Sequence, residues 1–289
     1  MKRLPQWVIV LILMIMVIGL ALWLRVTLPY NQVFTGEGIK MTGIDAYYYM
    51  RLVDNLAQHF PMLTKFDPYM QFPGGTVTGS SPDFFAYLMG GIVWLLGMGH
   101  PDQHTVDVIA VYIPPVLAAL TIIAVYFIGR SLGSIWIGLM AAGLLAIMPG
   151  EYLNRSLLGY TDHHVAEVLF STCMMLFVFE YVKRAEGRGL AEIKAMGGGG
   201  AAKLVIWGVL GGISLGLYLL TWAGALLFVL ILPLLPLMLI ADLFLAVSGS
   251  RLSLTGAAFA ILGVLSALRG LRVDVRGRRG GEDVQVRVD

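Results

Sequence analysis

The sequence predicts an all-α protein that crosses a membrane several times. Hydrophobic residues make up 58% of the 289 and charged residues only 13%, against about 25% charged in a soluble domain. Apolar runs long enough to span a bilayer recur along the chain, and the charges gather between them. A net charge of +2 says little about partners. The single cysteine, Cys173, lies inside an apolar run, so there is no internal disulfide and no reading of redox compartment.

The first run, 7–28, is broken only by Arg25 and follows Met1-Lys2-Arg3. It is too long for a signal peptide and no small-residue cleavage site follows, so it reads as an uncleaved helix with a cytoplasmic N-terminus. Residues 29–105 form a long loop. Asp45, Tyr47, Tyr48 and Tyr49 precede Met50, Leu52, Val53 and Leu56 at helical spacing, which predicts an amphipathic helix starting near Asp45. Taken alone, Asp45 reads as its N-cap and the tyrosines as an interfacial aromatic belt. Turn signals follow in Phe66-Asp67-Pro68-Tyr69 and Phe72-Pro73-Gly74-Gly75. The apolar run 84–98 is short for a span and fits an interfacial or re-entrant helix.

Further spans are expected at 106–129, 135–153, 165–182, 204–220 and 223–247, with a weak one at 254–268, about six to seven in all. Thr221-Trp222-Ala223-Gly224 is the natural break in the run from 204, and Pro233 and Pro236 should kink the helix beyond it. The positive-inside rule sets orientation. If 84–98 does not span, Arg130, the basic loop 183–203 and Arg251 all lie inside, and Asp45 and Asp162 share the external face. The glycines of Met196–Gly200 read as a flexible linker, because no lysine-serine or lysine-threonine pair closes a phosphate loop. The lysines and arginines around them are topology signals, not a nucleic-acid surface. Residues 1–268 thus form a membrane domain. The Arg- and Gly-rich tail 269–289 breaks character and reads as a truncated or non-native end.

The chemistry concentrates between 155 and 167. Arg155, Asp162, His163, His164 and Glu167 fall between two apolar runs. An Asp-x-His step places a carboxylate and an imidazole two residues apart, within reach of one divalent cation. The plain alternative makes Asp162 the N-cap of a helix starting at Val165. Arg155 has a plain alternative too, as a helix-end arginine snorkelling to the interface.

Taken together, Asp45 in Gly-x-Asp-Ala-Tyr-Tyr, Asp67-Pro68-Tyr69, Pro73-Gly74-Gly75, Arg155 and Gly159-Tyr160-x-Asp162-His163-His164 resemble the N-terminal half of the catalytic subunit of oligosaccharyltransferase. The Asp-His-His form resembles the archaeal branch, and the resemblance covers about residues 5–265. It implies a GT-C-type membrane glycosyltransferase that moves a glycan from a dolichol-linked phosphate or diphosphate to asparagine in Asn-x-Ser/Thr. By that resemblance Asp45 is a catalytic acid and, with Asp162 and His164, a metal ligand. Arg155 lies near the donor phosphate. His163 falls between the ligand positions and is assigned to substrate binding. Oxygen-rich ligation with one imidazole suits Mn²⁺ or Mg²⁺ better than Zn²⁺. Partners implied are the lipid-linked donor, the acceptor polypeptide and the bilayer, with the active site on the external face. The family also has a later acidic loop and a soluble domain with a Trp-Trp-Asp motif. This chain ends before both, so the third acid and the acceptor pocket would be absent from it.

Two other classes fit less well. A different membrane transferase using a polyprenyl-phosphate sugar donor would also carry acids in its first external loop, but not the Asp-His-His motif. A transporter would carry charge along its membrane path, whereas here the charges lie in loops.

Overall fold

The computed structural model describes residues 5–77, 84–185 and 197–230, apart from 223, 227 and 228. The chain divides into a unit of residues 1–225 and a second of 226–289. The site and the helices that carry it lie in the first. Pro233, Pro236, most of the expected span 223–247, the span 254–268 and the tail 269–289 fall outside the described residues.

The protein is a helical membrane protein. Its described elements are α1 (Gln6–Thr27), α2 (Tyr30–Val33), β1 (Phe34–Thr35), β2 (Gly38–Ile39), α3 (Ile44–His59), β3 (Phe66–Asp67), β4 (Thr76–Val77), α4 (Phe84–Leu96), α5 (Gln103–Leu132), α6 (Ile135–Ile147), α7 (Glu151–Asn154), α8 (His164–Ala185) and α9 (Gly197–Thr221). The strands form two antiparallel ribbons of two residues each, β1 with β2 and β3 with β4. Among the described residues, Gln6–Val33, Gln103–Leu132, His164–Ala185 and Leu204–Thr221 are long and apolar enough to cross a membrane.

α4 has 13 residues, about 20 Å of helix against a hydrocarbon core of about 30 Å. α6, which was expected to span, is also 13 residues long. α6 departs from expectation. It stops at Ile147 rather than 153, because Pro149 biases the preceding residue to an extended conformation and Met148 has ψ 121°. Gly150 then takes φ 136°. The glycine run also differs from its linker reading, since α9 begins at Gly197. Glycine propensity is a weak prior, and the long apolar run behind it carries the helix back. α9 ends at Thr221, at the expected break.

α5 is the central element. Asp102 caps it, accepting from the Thr105 amide at 2.9 Å. It crosses α6 at backbone contact, where a Cβ on Gly138 would lie 2.5 Å from the Tyr126 carbonyl oxygen. Small residues permit such an approach in lipid. At one end of the helices, the amphipathic α3 buries Tyr49, Leu52, Val53 and Leu56 against α4, the start of α5 and the start of α8. At the other end Lys183 donates to the Ser131 carbonyl (2.9 Å), so the C-terminal ends of α5 and α8 lie together. Asp45 and Asp162 therefore share the end opposite Lys183 and Arg184.

Two predictions follow from this packing. A Cβ on Gly90 would lie 2.7 Å from that of Leu56, which is fully buried. Gly90→Ala should therefore lower stability by about 1–3 kcal/mol through overpacking, and adding Leu56→Ala should not restore it, because alanine keeps the Cβ that the new methyl meets. Thermal unfolding in detergent checks both. In a Cys173→Ala background, cysteines at Glu37 and at Leu132 should label with an impermeant maleimide from opposite sides of the membrane. Labelling from one side would refute the topology.

Candidate metal centre

Residues 155–163 carry the site without regular structure of their own. In a membrane protein their backbone groups still need partners, and two prolines supply them. Pro115 inside α5 has no N–H, so the carbonyl of Val111, four residues before it, has no helical donor. The Gly159 amide donates to it at 3.1 Å. Pro29 likewise leaves the Arg25 carbonyl free, and the Leu158 amide donates there at 2.9 Å. Gly159 sits at φ 80°, and a Cβ on it would meet Val33 at 2.8 Å, so this position requires glycine.

The Arg25 side chain fixes the entry to this segment. It is fully buried and donates to Ser156 Oγ (2.9 Å) and to the carbonyls of Ala146 (2.9 Å) and Ala21 (3.2 Å). The first loop is tied in at the exit. Thr42 N–H donates to the Gly159 carbonyl (3.1 Å), Thr161 Oγ1 to the Ala46 carbonyl (3.3 Å), and the Tyr49 hydroxyl lies 2.9 Å from His163 Nδ1.

These contacts bring three donors together. Asp162, His163 and His164 each offer a ligand atom within 4.8 Å of the others. Asp162 is 1% exposed, and its Oδ1 accepts from the adjacent His163 amide at 2.6 Å. It is not the cap of the following helix, which starts at His164. His163 is held at both nitrogens. Nδ1 lies 2.6 Å from Asp162 Oδ1, and Nε2 lies 2.8 Å from Glu167 Oε1 but off the line a hydrogen bond needs. Burial opposes charge on this ring, yet the two carboxylates outweigh it and raise its pKa from 6.5 to about 9. Burial likewise pushes Asp162 up, while His163 and His164 hold it below the usual carboxylate range.

His164 is arranged differently. Its Nε2 lies 3.3 Å from Asp162 Oδ2, a buried oxygen with no hydrogen-bond partner. Two ligands at about 2.1 Å from one cation, at octahedral or tetrahedral angles, lie about 3.0–3.4 Å apart. Asp162 Oδ2 and His164 Nε2 thus fit a divalent cation between them, whereas both ring nitrogens of His163 already face carboxylate oxygens.

Asp45 is exposed in the first turn of α3 and is not among the three clustered donors. The cap position is Gly43. Tyr160 marks where the charges meet. Burial pushes its phenol up, Arg155 opposes this, and Asp162, Asp45 and Glu151 add to it. Arg155 is half-buried, paired to Glu151 at 2.6 Å and within electrostatic reach of Asp162. In the Asp67-Pro68-Tyr69 motif, Asp67 is a staple. It accepts from the amides of Tyr69 (2.9 Å) and Met70 (3.3 Å) and pairs with Arg51 of α3.

The sequence reading put Tyr49 in an aromatic belt and gave no role to Glu167 or Arg25. Tyr49 falls on the buried face with Leu52, Val53 and Leu56, not in an aromatic belt, because successive helical residues turn by about 100°. Tyr47, two positions earlier, is 57% exposed. That spacing was the available signal for Tyr49, and His-His-x-x-Glu at helical spacing was the signal for Glu167.

Helices long and apolar enough to cross a membrane thus carry at one end an Asp-His-His cluster whose ligand atoms could hold a metal ion. The chain belongs to the oligosaccharyl transferase STT3 family, whose N-terminal model matches residues 8–282. It is 32% identical over 204 residues to dolichyl-phosphooligosaccharide-protein glycotransferase 3 of Archaeoglobus fulgidus, covering 70% of this chain and 22% of that protein. It is 30% identical over 216 residues to dolichyl-monophosphooligosaccharide-protein glycotransferase AglB of Haloferax volcanii, covering 74% and 20%. Among solved structures it resembles the oligosaccharyltransferase AglB of A. fulgidus in complex with an inhibitory peptide and a dolichol-phosphate. The TM-score is 0.68 at 28% identity, over 83% of this chain and 26% of that one. A second A. fulgidus structure, a complex with Zn and sulfate, matches with TM-score 0.65 at 27% identity, covering 81% and 27%. The chain thus spans about a fifth to a quarter of the length of these relatives.

One pH effect follows from His163. Its folded pKa is raised, so its contribution to stability is fully present below about pH 6.5 and is lost as pH rises through about 9. Thermal melts should show a loss of up to roughly 3 kcal/mol across that window. His163→Gln should flatten it.

Proposed function

We propose that this chain is the membrane part of an oligosaccharyltransferase catalytic subunit. Such a protein moves a glycan from a dolichol-linked phosphate or diphosphate to asparagine in Asn-x-Ser/Thr. The observation that carries the proposal is the unpartnered Asp162 Oδ2 facing His164 Nε2 at 3.3 Å, in a chain matched to the STT3 family over 8–282. The A. fulgidus relative in complex with a dolichol-phosphate supports a lipid-phosphate donor.

In this reading Asp162 and His164 hold a divalent cation, with Asp45 as a further ligand from the first loop. Mn²⁺ or Mg²⁺ suits this oxygen-rich set better than Zn²⁺. The cation's part is to neutralise charge on the departing phosphate. Asp45, exposed at the start of α3, accepts from the acceptor amide N–H groups and orients the nitrogen toward the sugar carbon. Arg155 contributes charge-assisted hydrogen bonds to the donor phosphate. His163, held between two carboxylates and a tyrosine, adds positive charge to the same wall of the site. The site faces the external side of the membrane, opposite Lys183 and Arg184.

Donor binding tests this. Purified chain in lipid nanodiscs should bind labelled dolichyl phosphate in a Mn²⁺-dependent manner. Arg155→Ala should weaken binding by about tenfold or more, the effect of losing roughly 1.5–3 kcal/mol of charged hydrogen bonding. Asp162→Asn should remove the Mn²⁺ dependence. Binding unchanged by EDTA and by Asp162→Asn would refute the proposal.

A further inference from the structure

The four ring nitrogens of His163 and His164 are not equivalent. His163 Nδ1 faces Asp162 Oδ1 and the Tyr49 hydroxyl, and His163 Nε2 faces Glu167 Oε1 at 2.8 Å. His164 Nδ1 also faces Glu167 Oε1, at 3.4 Å. His164 Nε2 turns the other way, to Asp162 Oδ2, which is also buried without a hydrogen bond. The two rings lie with centroids 4.3 Å apart, so one carboxylate reaches both. A carboxylate has about four acceptor positions on two oxygens and can serve two N–H donors.

Glu167 does not belong to the cluster of mutually close donors, which holds Asp162, His163 and His164. It sits behind the rings, one helical turn further along α8, at i+3 from His164 and i+4 from His163. Its side chain is 14% exposed, and Oε1 is fully buried with no hydrogen bond of good geometry. A buried carboxylate in such a place needs a proton donor in front of it. An imidazole Nδ1–H meets that need and leaves the Nε2 lone pair pointing the other way.

We propose that Glu167 is a positioning residue of the metal centre: it holds the His164 proton on Nδ1, so that Nε2 faces a divalent cation shared with Asp162 Oδ2. The inference rests on the metal reading of Asp162 and His164 given above and adds a residue to it. Metal-bound histidines commonly donate their other ring N–H to a carboxylate, which fixes the tautomer and strengthens the ligand. Here α8 supplies both groups from its first turn. The rigidity of the helix therefore sets the distance between ligand and support.

The test uses the purified chain and Mn²⁺ alone, with affinity read by electron paramagnetic resonance. Glu167→Ala should raise the Mn²⁺ Kd about 10–100-fold. Glu167→Gln, which keeps an accepting oxygen without the charge, should fall between it and wild type. Asp162→Asn should abolish binding. In the metal-free protein labelled with ¹⁵N-histidine, the His164 shifts should report an Nδ1–H tautomer in wild type and a mixture in Glu167→Ala. Should Glu167→Ala fail to fold, Glu167→Gln with its tautomer signature carries the test. If Asp162→Asn abolishes Mn²⁺ binding but both Glu167 variants bind as wild type with the same tautomer, this inference is wrong and the metal reading stands. If wild type does not bind Mn²⁺, the metal reading and this inference fall together.

Discussion

Everything at this site depends on a backbone need. The stretch from Arg155 to His163 has no helix or ladder of its own, yet it is largely buried at the end of a bundle of membrane helices. Each unpaired peptide group there costs free energy of several kcal/mol. The chain answers with proline. Pro115 and Pro29 remove two amide donors, and the carbonyls they leave, Val111 and Arg25, take the amides of Gly159 and Leu158. What looks like a defect in two helices is the docking point for the loop between two others. Gly159 completes the fit, since no side chain could occupy its φ or its space.

Once the loop is fixed, the rest of the centre follows by proximity. Arg25 closes its entry through Ser156 and Ala146. The first extramembrane loop closes its exit through Thr42, Ala46 and Tyr49. α3 brings these residues into place because its apolar face packs on α4, α5 and α8. Asp67 and Arg51 in turn staple the far part of that loop to α3. The short α4 packs into the same core as α3 and the start of α8.

The electrostatics are those of a crowded, partly dehydrated cluster. Two carboxylates and two imidazoles meet at 2.6–3.4 Å. Not all of these contacts have hydrogen-bond geometry, and Asp162 Oδ2, His163 Nε2 and Glu167 Oε1 are buried without one. In a low-dielectric site that arrangement is unfavourable unless a charge balances it. His163 as imidazolium supplies part of that balance. A cation at Asp162 and His164 would supply the remainder and satisfy the orphan oxygen.

Much of this was legible in the sequence, for reasons that are local. Apolar run length marked the spans at 106–129, 165–182 and 204–220, because a helix in lipid needs no partner to satisfy its backbone. The 3.6-residue spacing from Tyr49 to Leu56 gave α3 and its buried face. The Asp-His-His triplet gave the centre, since adjacent ligand types in one loop cannot lie far apart. Tertiary structure decided what depends on distant partners. The same spacing that gave α3 put Tyr49 on the buried face, but only packing placed its hydroxyl on His163. Helical spacing put Glu167 beside both histidines, but only rotamers aim its oxygen behind the rings. Nothing local to Arg25 names Ser156, 131 positions away, and nothing local to Pro115 names Gly159. Such pairings exist because folding brings a freed carbonyl and an unpaired amide to the same place, and sequence order carries no record of that meeting.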